Sequence, residues 1–118
     1  MRRHAIKLPI LTIANGQNAS NAISLAAGVN SKVALGTLVD LIVYAPTTLP
    51  ETVECQASWI ESPTASDWRT LSIAGTDVTA PADRAAVVPA AAMKAFRLRA
   101  TTPVGADRVF PLIGQVDI

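Results

Sequence analysis

Covalent catalysis needs a nucleophile beside a base, and a transition metal needs several converging His, Cys or carboxylate ligands. The chain holds one histidine, His4, near its start, and one cysteine, Cys55, on the apolar side of an alternating segment. A Cys–His pair would require the start of the chain to reach into the core. Carboxylate pairs for acid–base work are equally hard to assemble. Glu51 and Glu54 flank a strand entrance, while Asp77 and Asp83 lie near turns, where solvated acidic residues are ordinary. The six glycines are scattered, with no GxxxxGK or GxGxxG spacing to cradle a phosphate. No cofactor, metal or catalytic residue is expected.

Three further groups could bind. Trp59 and Trp68 bracket one turn beside Asp67, and exposed indoles there would make a sugar-stacking platform. Because Trp59 continues an alternating apolar face, the sequence favours a core role for both. Arg97 and Arg99 alternate with Phe96, Leu98 and Ala100, so the arginines and the aromatic ring point to opposite faces of a strand. Base stacking and phosphate contact cannot then share one surface, and a solvated or partner-contacting arginine pair is expected. The basic start, with Arg2, Arg3, His4 and Lys7, is either a disordered chain end or an arm that embraces an acidic neighbour.

These residues are carried by short extended segments. From Val53 to Trp59 the apolar side chains fall on every second position, with Glu54, Gln56 and Ser58 on the face expected to meet water. Residues 5–13 predict a strand whose Pro9 suits an edge or a bulge, and Asn15-Gly16 predicts a turn. Shorter strands are expected within 18–25, 68–73, 84–88, 96–100 and 108–113, the last interrupted by Pro111 and open to extension over 115–118. The run 35–44 is the most apolar and β-branched, which predicts a central strand. Pro89 to Lys94 has the only helix propensity, enough for one or two turns. About eight strands separated by turn signals predict an all-β fold, an antiparallel β-sandwich or a barrel, with at most one short helix near 89–94.

At 118 residues the chain fits one domain. Residues 1–10 would form the basic arm and the start of the first strand, and 11–118 a single β domain. A formal charge of +1 gives no field for nucleic acid or an acidic membrane. Only 16% of residues are charged and 50% are apolar, so the chain is either an Ala-rich ordinary monomer or one that buries surface against partners. A lone cysteine gives no internal disulfide. The first apolar run is broken by Lys7 and Pro9, which argues against a secretory signal. No membrane contact is expected, and synthesis in a cytoplasm is.

The chain resembles a group of small virion proteins of tailed bacteriophages. The likeness is carried by Ser58-Trp59-Ile60-Glu61-Ser62, Asp67-Trp68-Arg69-Thr70-Leu71, Gly75-Thr76-Asp77-Val78-Thr79, Phe96-Arg97-Leu98-Arg99 and Pro103-Val104-Gly105-Ala106-Asp107-Arg108. The opening Leu11-Thr12-Ile13-Ala14-Asn15-Gly16, followed by Asn18-Ala19-Ser20-Asn21-Ala22-Ile23, is similar to the group's usual start. Where that group often has Asp-Gly-Gly before the tryptophan, this chain has Ser62-Pro63-Thr64-Ala65-Ser66.

The resemblance implies a β-sandwich of jelly-roll type that decorates or cements a capsid, or sits in a tail or fibre, without catalysis. It would be assembled into the virion in the host bacterial cytoplasm. Its partners would be the major capsid protein and further copies of itself, as a homodimer or homotrimer. The contacts are expected at Arg2, Arg3 and Lys7 of the basic start, at Val29 and Lys32 of the loop 26–33, at Leu49 of the loop 45–52, and at Arg97 and Arg99. A carbohydrate-binding β-sandwich is the rival reading, and it requires an exposed Trp59 or Trp68.

Overall fold

A computed structural model describes residues 3–25, 37–90 and 93–117. Ten strands form among them: β1 (Arg3–Ile13), β2 (Ile23–Ser24), β3 (Thr37–Tyr44), β4 (Val53–Ser58), β5 (Arg69–Thr70), β6 (Ser72–Ile73), β7 (Thr76–Asp77), β8 (Ala85–Pro89), β9 (Ala95–Ala100) and β10 (Arg108–Asp117). Every pairing is antiparallel. One four-stranded sheet has the order β1-β10-β3-β8 and the other β2-β9-β4-β5, with β6 and β7 as a separate hairpin.

Inward side chains of both sheets meet in one core. Leu8, Leu11, Ile13, Leu41, Val43, Val88, Phe110 and Leu112 come from the first sheet, and Ile23, Val53, Cys55, Phe96, Leu98 and Ala100 from the second. Phe96 and Phe110 are completely enclosed, and each such ring contributes more to burial than any aliphatic side chain here.

Two prolines sit at one irregularity. Leu8 pairs with Leu112 and Leu11 with Phe110, so Pro9 and Ile10 together stand against Pro111 alone. This bulge puts Leu8 and Leu11 on the same face despite their odd spacing. It also explains how β10, between β1 and β3, carries a proline. Pairing of β10 to β3 begins only at Leu112–Val43, so the absent Pro111 N–H interrupts neither ladder. The strand therefore runs through Pro111 without interruption and on to Asp117.

Strand β1 is an edge, and Asn21 covers part of it. The Thr12 amide donates to Asn21 Oδ1 at 2.8 Å, and Asn21 Nδ2 donates to the Ile10 carbonyl at 3.1 Å. A side-chain amide thus replaces a neighbouring strand over two residues. The turn that follows β1 is pinned to the start of β10. Gly16, at φ +81°, donates its amide to the Val104 carbonyl, and the Asn15 amide donates to Asp107 Oδ1. Only glycine takes that backbone conformation without strain.

Several expectations need correction. The described residues form ten strands rather than about eight, because 68–73 divides into β5 and β6 and because β7 forms. The segment 18–25 contributes only Ile23 and Ser24 as a strand, plus one bridge from Ala19 to Arg99. No helix forms at Pro89, Ala90, Met93 or Lys94; Ala91 and Ala92 lie outside the described residues. Pro89 ends β8, the Ala90 amide donates to the Val39 carbonyl and the Lys94 amide to the Ser58 carbonyl. Bonds to neighbouring strands outcompete the weak local propensity of an alanine run. Among the described residues a 3-10 turn forms instead at Ala65–Asp67, where Asp67 accepts from both the amide and the hydroxyl of Thr64. The first strand already begins at Arg3, within the basic start.

Candidate functional site

The outward face of the second sheet carries a row of polar side chains set by register. Gln56 on β4 lies directly between Thr70 on β5 and Arg97 on β9, and Glu54 lies opposite Arg99. Arg97 Nε donates to Gln56 Oε1 at 2.8 Å, and Gln56 Nε2 reaches Thr70 Oγ1 at 3.4 Å. The Arg97 guanidinium also lies 4.6 Å from the centre of the Trp68 ring, a geometry in which the ring's negative face attracts the cation.

This cluster overturns the expected water-facing side of β4. Gln56 and Ser58 are buried, while Ala57 on the opposite side is only half-buried. The inward alternation holds for Val53 and Cys55 and is lost near the strand end. Trp68 is buried as expected, at 8% exposure, although it lies under Arg97 rather than between the sheets, and Trp59 is 55% exposed. The reason is that β4 stops at Ser58, so Trp59 lies beyond the ladder that would have turned it inward.

Trp59 carries an arginine of its own, with the Arg69 guanidinium 5.3 Å from its ring centre. Both line an open depression of about 300 Å³ with Ser58, Leu71, Pro89 and Met93. A second depression of about 260 Å³ is bordered by Pro50, Thr52, Thr79 and Pro81. Beside it, Glu51 receives two hydrogen bonds from Arg108, at 3.0 and 3.1 Å, which ties the loop after β3 to the start of β10. The Arg108 bond, reinforced by its charge, holds the Glu51 carboxyl below its usual value.

The outward face of the first sheet has an apolar row at its centre, with Asp40 and Gln115 paired in the row beside it. Lys7, Ile113, Ile42 and Val87 are directly opposite one another across all four strands. Val87 is 58% exposed, and Tyr44, Val109 and Ile10 on the same face are also exposed. Ile42 and Ile113 are half-buried between them.

The expected contact residues disperse. Arg97 and Arg99 share one face, as their alternation required, and Lys7 closes the apolar row on the other sheet. Leu49 belongs to the core rather than to an exposed loop surface, at 9% exposure. Arg3 is in β1, and Arg2, Val29 and Lys32 lie outside the described residues. That Gln56 and Glu54 stand beside Arg97 and Arg99 is not legible in the sequence, because only the register reveals which residues face one another.

Cys55 is fully enclosed, and burial pushes its thiol up to about 12, so it is a poor nucleophile at neutral pH. His4 is exposed on β1. Among the described residues no three His, Cys, Asp or Glu side chains converge as metal ligands would. No described helix is long and apolar enough to cross a membrane. No family model, curated protein or solved structure matches the chain.

Proposed function

We propose that the chain is a non-enzymatic structural protein of a phage virion, a cement or decoration protein that binds across coat subunits. The observation that carries this reading is the apolar row on the outward face of the first sheet, centred on Ile42, Val87 and Ile113. A surface of that kind gains free energy when a partner removes it from water, and many copies on one shell multiply modest single contacts. Binding only the assembled shell then stabilises it by mass action.

The strand order supports a jelly roll. With the β6–β7 hairpin set aside, β1 pairs with β10, β2 with β9, β3 with β8 and β4 with β5, a nested series like one long hairpin rolled on itself. The further pairings β10–β3 and β9–β4 complete two four-stranded sheets. Such rolls occur in viral capsid and lectin domains alike, so the fold is compatible with the proposal without carrying it. The resemblance in the Trp68 and Arg108 segments points to the virion, and a tail or fibre position is the alternative within it.

Light scattering on the isolated chain, followed by mixing with empty shells, tests the proposal. Saturable co-sedimentation at a fixed ratio to coat subunits is the expected result. Its failure, or labelling of the chain at the tail of intact particles, rules out cement.

The exposure of Trp59 favours a second reading, a carbohydrate-binding module using the depression beside Arg69. A saturable change in tryptophan emission with one member of a glycan panel, abolished by Trp59→Ala, would establish it. An unchanged spectrum across the panel removes it.

A further inference from the structure

We infer that Arg97 and Arg99 form a carboxylate-binding site that takes an acidic, extended segment of a protein partner. The inference rests on reading the chain as a docking protein. An arginine in solvent samples many rotamers, and fixing it for a ligand costs entropy. Arg97 is already fixed: Gln56, itself 5% exposed, holds its Nε, and the Trp68 ring holds its plane. Because that bond uses Nε, both terminal amino groups of the guanidinium lack a hydrogen-bond partner among the described residues. They form the fork that recognises a carboxylate with two parallel bonds.

Arg99 stands two residues further along the same face, about 7 Å away at strand spacing. That is also the spacing of alternate side chains in an extended partner segment, so two acidic residues flanking one other residue match the pair. Burial and then the neighbouring Arg99 charge both hold Arg97 below its ordinary value, and a bound anion relieves the second of these. Glu54, opposite Arg99, and a chain charge of +1 keep the local field small. Such a site suits single carboxylates rather than a nucleic-acid backbone, whose affinity comes from many cations.

The test is an NMR titration of the full chain, following the arginine Nε–H and tryptophan indole signals. The probes are a capped Glu-Ser-Glu peptide, its Gln-Ser-Gln counterpart and inorganic phosphate. Saturable shifts at Arg97, Arg99 and the Trp68 indole are expected with the first, with affinity roughly tenfold above the second, the discrimination a charge-assisted bond gives. The exposed Arg84 should not move. Arg97→Lys keeps the charge but lacks the fork, and should lose most of that tenfold. Should that variant fail to fold, the exposed Arg99→Lys tests the same point.

Equal affinity for the two peptides, tighter binding of phosphate, or shifts that include Arg84 would overturn the inference. A chain that co-sediments with shells but ignores the acidic peptide refutes this site alone. One that binds the peptide but not shells refutes the cement reading alone.

Discussion

The Arg97 guanidinium stacks 4.6 Å above the Trp68 ring while its Nε bonds to Gln56 Oε1 at 2.8 Å. This pair closes a face of the sheet that alternation alone assigns to water. Trp68, just before β5, lies on the same side of the sheet as Thr70, and Arg97 extends across β4 to reach it. Two buried or half-buried polar groups, Gln56 and Arg97, therefore satisfy each other.

Replacing Gln56 with alanine should expose how much that arrangement contributes. The change removes the partner of Arg97 Nε and opens a small void beneath the guanidinium. A loss of about 1–3 kcal/mol is expected, the range for a hydrogen-bond partner removed from a buried group. Urea unfolding followed by tryptophan emission measures it, and a loss under about 0.5 kcal/mol, the scatter of neutral surface changes, would deny the cluster a structural role.

Asn21 is exposed, so its replacement should cost little packing. Asn21→Ala leaves the Thr12 amide and Ile10 carbonyl of β1 open to water. Global stability should fall by about 1 kcal/mol, the net value of such bonds. Hydrogen exchange at the Thr12 amide should accelerate while the core amides of Leu41 and Val43 change only in step with the global loss. Unchanged protection at Thr12 would show that another group guards this edge.

Glu51 links stability to acid. Its carboxyl is held below the usual value by the Arg108 hydrogen bond, so the folded state favours its ionised form more than the unfolded chain does. The resulting stabilisation is complete above the ordinary carboxylate value of about 4.3 and fades as pH falls through the lower folded value. Glu51→Gln should flatten that part of the pH–stability curve and leave the rest unaltered. Parallel curves for the two proteins between pH 5 and about 3 would contradict the assignment.

Cys55 should resist alkylation in the folded protein. With its thiol raised to about 12 by burial, almost no thiolate exists at pH 8. Because the folded value lies above the ordinary value of 9.0, the associated stabilisation is present below about pH 9 and declines as pH rises towards 12. Iodoacetamide should label the chain only at the rate of its unfolding, read by mass spectrometry. Rapid labelling under native conditions would place Cys55 outside the core.

The strands were legible in the sequence where alternation and turn chemistry agreed. Phe96, Leu98 and Ala100 point inward and Arg97 and Arg99 outward, as their spacing requires. Pro9 gave both an edge and a bulge, since a residue without an N–H has few other places in a sheet. The central position of β3 followed from its β-branched apolar run.

What the sequence hid was register. Nothing local says that Gln56 lies beside Arg97, or that Ile113, Ile42 and Val87 form one row, because those residues come from distant parts of the chain. The end of β4 was also hidden, and one residue of strand decided whether Trp59 was core or surface. The alanine run after Pro89 misled for a related reason: helix propensity is a fraction of a kcal/mol per residue, and pairing with β3 and β4 overrides it.

The most direct test of docking through the first sheet's outer face is co-sedimentation of the wild-type chain and Val87→Asp with empty shells. Val87 is exposed, so the variant should keep its circular dichroism and melting temperature nearly unchanged. Saturable binding of the wild type, weakened at least about tenfold by a charge placed in an apolar contact, is the expected result. Equal binding of both proteins, or none by either, would contradict the assignment of that face.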